Sequence, residues 1–163
     1  MEKSWPLELH GQIQEHVYQL PKVSDEIVTV LKGHLLIEEK INDLIKKRLP
    51  NPEPLLKARP RFSHKLSLLE SLIVGQIKKT PRGGYSVRKL WHALRELNTI
   101  RNEIAHDLAP KRLQKKVKDL TLAVLDLIRL SDKLKDIAQW ETIDQLKWNL
   151  GLLAFLVGAM SKE

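Results

Sequence analysis

The chain has 163 residues, of which 42% are hydrophobic and 29% charged; this suits one soluble domain with one core and excludes a collagen-like or disordered chain. It contains no cysteine, which rules out disulfides, thiolate metal sites and cysteine nucleophiles and fits a reducing, cytoplasmic setting. A net charge of +8 favours polyanionic partners, nucleic acid first among them.

In chain order, the first stretch has no continuous apolar run, so no signal peptide is expected, and residues 1–22 read as an extra helix or arm around "PLELHGQIQEHVYQL". Ser24 is a good N-cap with Asp25 and Glu26 behind it, and a helix should run from there to about Leu49, where Pro50 stops it. "PNPEPLLKARPRF" (50–62) is a proline-rich loop. A second helix is expected from Ser63 to about Lys79, then a turn at "TPRGGYS". Ser86 should cap a third helix, Val87 to about Ala105. Pro110 suits the first turn of a fourth, to about Lys135, and a fifth should occupy Glu141 to Met160.

That fifth helix ends in "LGLLAFLVGAM" (150–160), too short to cross a bilayer, which needs roughly 20 apolar residues, so no membrane partner is expected. It reads as a buried or interface helix, and its excess of apolar surface points to a two-fold homodimer. No segment alternates apolar and polar residues as a strand would. The expected architecture is all-α: one domain over 1–163, an antiparallel bundle of about five helices with its core at about 24–160.

Two helices carry a charge in an unexpected place. At about 100° per residue, Leu90, Leu94, Leu97, Ile104 and Leu108 share one side of the third helix, and Arg101 falls among them. Ile27, Leu31, Leu35, Ile41, Ile45 and Leu49 share a side of the first long helix, with Glu38 in its middle. An unpaired charge in a core costs several kcal/mol, so Glu38 and Arg101 are expected to pair. Such a pair either fixes helix alignment or holds the arginine ready for an anion.

His106 lies one turn beyond Asn102, so those two share a face. Arg101 is about 140° away from His106 on an ideal helix. One ligand can meet both only if the arginine stretches, the helix end distorts, or a second chain supplies one of them.

The stretch "RNEIAH" (101–106) resembles the R-N-x-x-x-H form of the R-x(4–6)-H motif of the HEPN superfamily of small all-α bundles. "LKGHLLIEE" (31–39), "RFSHKL" (61–66) and "LNTIRNEIAHDL" (97–108) extend the resemblance, which covers roughly residues 24 to 135. The resemblance implies a metal-independent endoribonuclease of a toxin or defence system, without a cofactor. The ribose 2′-hydroxyl of RNA would attack the adjacent phosphate in a cleft between two protomers. Carried over, Arg101 would bind phosphate, His106 would transfer a proton and Asn102 would shape the site, while the helix phases add Glu38 as the partner of the arginine. The chemistry is sound: imidazole both donates and accepts protons near neutrality, and guanidinium stabilises charge on phosphate oxygens. The superfamily also contains non-catalytic members, so a binding or regulatory module with a structural Glu38–Arg101 pair is the alternative. One branch carries a tyrosine two residues after the histidine, modified by its antitoxins; here Leu108 takes that place, although an antitoxin or regulatory partner remains part of the expectation.

Other chemistries lack their residues. "RGGY" (82–85) is a turn and not a phosphate-binding loop, and no histidine pair has a third metal ligand at sensible spacing, so no metal is expected. Arg95 and the run "KRLQKKVK" (111–118), with Lys111, Arg112 and Lys115, are placed to guide RNA toward His106.

Overall fold

The structure is a computed structural model that describes residues 10–22, 25–73, 77–78, 85–107, 112–128, 134–137 and 139–161. It is an all-α bundle. In chain order come α1 (His10–Val17), α2 (Glu26–Arg48), the short α3 (Glu53–Lys57), α4 (Phe62–Leu72), α5 (Val87–His106), α6 (Leu113–Leu127), the single turn α7 (Leu134–Ile137) and α8 (Thr142–Met160). Within residues 1–22, expected as an extra helix or arm, lies α1, which packs on α8; residues 1–9 lie outside the described residues.

α8 organises the rest. A helix that is apolar all round must be covered all round, and α1, α2 and α6 cover this one. Leu150, Leu152, Leu153, Ala154, Leu156, Val157 and Met160 are all buried. The apolar run that argued for a dimer from sequence is therefore consumed within one chain. Among the described residues no helix is long and apolar enough to cross a membrane.

Two glycines permit this packing. A Cβ on Gly33 of α2 would stand 2.8 Å from Leu150 Cδ2 and 2.9 Å from its Cγ. A Cβ on Gly151 would stand 3.0 Å from Ile13 Cγ2 on α1. A buried polar chain sets the register of α8 against α6: Asn149 Nδ2 donates to Thr121 Oγ1 at 2.8 Å, Thr121 Oγ1 donates to Val117 O at 2.8 Å, and Gln145 Nε2 donates to Trp140 O at 2.9 Å.

Several boundaries differ from the sequence expectation. The first long helix is capped by Asp25, whose Oδ1 accepts from Val28 N at 3.0 Å; Ser24 lies outside the described residues. The second helix ends at Leu72 and not Lys79, because Ile73 leaves the helix and buries its side chain in the core. Beyond it, β1 (Ile77–Lys78) pairs antiparallel with β2 (Tyr85–Ser86), a ladder too short to show any period in sequence. Ser86 holds the N-cap position of α5 in an extended conformation, without a capping hydrogen bond from its side chain. α6 begins at Leu113; Pro110 and Lys111 lie outside the described residues.

The close approach of α2 and α8 yields a test. Gly33→Ala should lower unfolding free energy in urea by about 1–3 kcal/mol through overpacking, despite alanine's better helix propensity. The loss should be smaller in a Leu150→Ala background, where the clashing side chain is gone.

Candidate functional site

The C-terminal half of α5 faces α2 and the start of α4. Between the three lies a polar cleft of about 570 Å³, lined by His34 and Glu38 of α2, Pro60 to Ser63 at the start of α4, and Asn98, Arg101, Asn102 and His106 of α5. The turn into α4 passes through Arg59, at φ 50°, a left-handed conformation that a non-glycine residue adopts at a cost of about 1–2 kcal/mol. That turn lays Pro60, Arg61 and Phe62 along the cleft.

The expected Glu38–Arg101 ion pair is not formed. Lys65 Nζ of α4 holds Glu38 Oε1 at 2.7 Å, with the lysine side chain 7% exposed and the glutamate 26%. Arg101 is exposed, and its Nη1 donates to Asn102 Oδ1 at 3.2 Å. Of the side expected to be apolar on α5, Leu90, Leu94, Leu97 and Ile104 are buried, Arg101 among them is exposed, and Leu108 lies outside the described residues. What lies opposite the same face at Arg101 is the open cleft, so the charge meets solvent and not a packed wall. The phase of α2 is a correction. Its buried stripe runs through Val30, His34, Ile37, Ile41 and Leu44, which puts Glu38 at the edge and leaves Leu35 59% exposed.

Arg101 and His106, about 140° apart on α5, reach the same cleft from one chain. Asn98 and Asn102 occupy the intervening sector, so the cleft follows one continuous polar arc of the helix. Neither a distorted helix end nor a second chain is needed. His106 is the last residue of α5; it is exposed, and its side chain forms no hydrogen bond among the described residues.

His34 was missed as a site residue. It is 4% exposed, with its ring centroid 4.3 Å from that of Phe62. With its proton on Nε2 it donates to Asn98 Oδ1 at 3.3 Å, and Nδ1 lies 3.9 Å from Glu38 Oε2. Burial holds its imidazole below the ordinary value of 6.5; the hydrogen bond with Asn98 and the charge of Glu38 oppose this, and Arg101 and Lys65 add to it. The spacing of His34 and Glu38, one turn apart, was the available signal.

A second cleft of about 520 Å³ adjoins the first and shares Asn102 and His106 with it; Thr99, Glu103, Asp107, Arg112 and Lys116 complete its lining. Lys116 Nζ pairs with Glu103 Oε1 at 2.6 Å. Of the basic residues expected to guide RNA, Arg112 is exposed and lines this cleft. Lys115 is exposed but lines neither cleft, and Lys111 lies outside the described residues. Arg95 is engaged elsewhere, tying α5 to Glu70 of α4. Among the described residues no three His, Asp or Glu side chains group as metal ligands would. No protein-family model, curated protein or solved structure matches this chain.

The environment of His34 fixes a pH dependence. Its folded pKa is depressed, so the unfolded chain binds the extra proton first as pH falls below about 6.5. His34 therefore contributes stability that is present above that pH and erodes below it, by at most about 1.4 kcal/mol per pH unit. Urea unfolding between pH 7.5 and 5.5 should show this slope in wild type, and His34→Gln should flatten it.

Proposed function

We propose that the chain is a metal-independent endoribonuclease of HEPN type and that the cleft holding Arg101 and His106 is its active site. The observation that carries the reading is that Lys65 takes Glu38, leaving Arg101 exposed beside His106 in a polar cleft. An arginine committed to a buried carboxylate would be structural; one without a carboxylate partner among the described residues suits a phosphate.

In the proposed reaction the substrate's 2′-hydroxyl oxygen attacks phosphorus, the P–O5′ bond breaks, and a 2′,3′-cyclic phosphate forms. The 2′-hydroxyl gives up a proton and the leaving O5′ gains one. His106 carries a proton at this centre, and Arg101 stabilises the charge that builds on the phosphate oxygens. Asn102 holds the guanidinium through its Oδ1. A toxin or defence role, a homodimer and an antitoxin or regulatory partner come with the resemblance. Because one chain brings both groups to the cleft, the chemistry does not require the second.

Purified protein should cut single-stranded RNA in EDTA, leave 2′,3′-cyclic phosphate ends and spare DNA, which lacks the attacking group. His106→Ala should lose about 10²–10⁴-fold in rate. Arg101→Ala should lose about 10²–10³-fold. Both residues are exposed, so both variants should unfold within about 0.5 kcal/mol of wild type. Intact RNA with wild type, or equal cutting without His106, refutes the reading and leaves a non-catalytic binding module.

A further inference from the structure

The two clefts meet at one ridge. Asn102 and His106 line both, so a group held at the ridge has a cavity on either side. Volumes of about 570 and 520 Å³ each lie within the range of small-ligand sites, about 300–1,000 Å³. The charges near the clefts are sorted as well. Glu38 and Glu103 are each held by a lysine, Lys65 and Lys116. Arg61 and Arg101 in the first cleft and Arg112 in the second form no ion pair among the described residues.

We infer that the second cleft is a nucleotide subsite: single-stranded RNA lies across the Asn102–His106 ridge with the scissile phosphate on it, one flanking nucleoside in each cleft, and Arg112 on the next phosphate. This rests on the ribonuclease reading and specifies its substrate contacts. The second cleft suits a base more than a phosphate. Thr99 and the second carboxylate oxygen of Glu103 are acceptors for exocyclic amines, and Arg112 is a cation there outside the Lys116–Glu103 pair. Two nucleosides turned into separate cavities cannot stay stacked in a helix, which makes the ligand single-stranded and not duplex.

The test separates this subsite from a diffuse basic field. Lys118 is exposed on α6, the helix that Arg112 precedes as its N-cap residue, and lines neither cleft. Binding is measured with a fluorescent 2′-O-methyl RNA, which lacks the attacking hydroxyl and reports affinity without turnover. Arg112→Glu should weaken binding about tenfold or more, and Lys118→Glu less than about threefold. Arg112→Ala should reduce the slope of log affinity against log salt by about 0.7, the value for one phosphate of a single strand. Equal losses from the two Glu variants, no loss from either, or no binding by wild type overturns the inference. Cutting of the same sequence with its 2′-hydroxyls present reports separately on the ribonuclease reading: RNA cut by wild type and indifferent to Arg112 removes the subsite alone, and RNA bound through Arg112 but never cut removes the catalysis alone.

Discussion

The ion pair between Lys65 and Glu38 decides what the site can be. Both partners sit at the junction of α2 and α4, where the lysine is almost wholly buried. A buried ammonium without an anion would cost several kcal/mol, so Glu38 is bound to Lys65 by the lysine's own need. One carboxylate is thereby satisfied by one cation, and Arg101 has no opposite charge to settle on among the described residues. The same contact holds Glu38 near His34, whose burial keeps it in the neutral form near neutral pH. The cleft's inner wall is thus close to electrically balanced, and its cationic groups lie on the outer side.

The scaffold explains why a cleft exists there. α8 draws α1, α2 and α6 around itself, with Gly33 and Gly151 allowing close approach. α5 is not among the helices that cover it; α5 packs on α6 and is linked to its neighbours by ion pairs at the surface, Lys89 to Asp126 of α6 and Arg95 to Glu70 of α4. Exposed pairs of this kind contribute about 0–1 kcal/mol each, enough to orient a helix already held by its leucines. The last turns of α5 carry polar residues on a face that is apolar nearer its start. The cleft between α5, α2 and α4 is lined there by those polar residues.

Much of this was legible in the sequence. Proline and glycine punctuation located the long helices, because those residues act on the backbone locally. The shared face of Asn102 and His106 was legible from their one-turn spacing, but that Arg101, about 140° from His106 on the helix, lines the same cleft was not. Nor was the Arg101 partner. Lys65 lies in step with Phe62, Leu66 and Leu69 at helical spacing, which marks it as core-facing, but a lysine between apolar residues is easily passed over. The face of α2 was misjudged for the same reason. Gly33 and His34 belong to its buried stripe though neither is aliphatic, and Leu35 is aliphatic but exposed. The two-residue ladder at Ile77–Lys78 and the cavity beside Arg112 depend on how separate elements meet, which no single-helix pattern contains.

A pair of double-mutant cycles on unfolding free energy tests the central claim most directly. One cycle combines Glu38→Gln with Lys65→Met, and the other combines Glu38→Gln with Arg101→Met. The account predicts a coupling of about 1–3 kcal/mol between Glu38 and Lys65 and less than about 0.5 kcal/mol between Glu38 and Arg101. A large coupling to Arg101 with none to Lys65 would contradict it, and would return the arginine to a structural role.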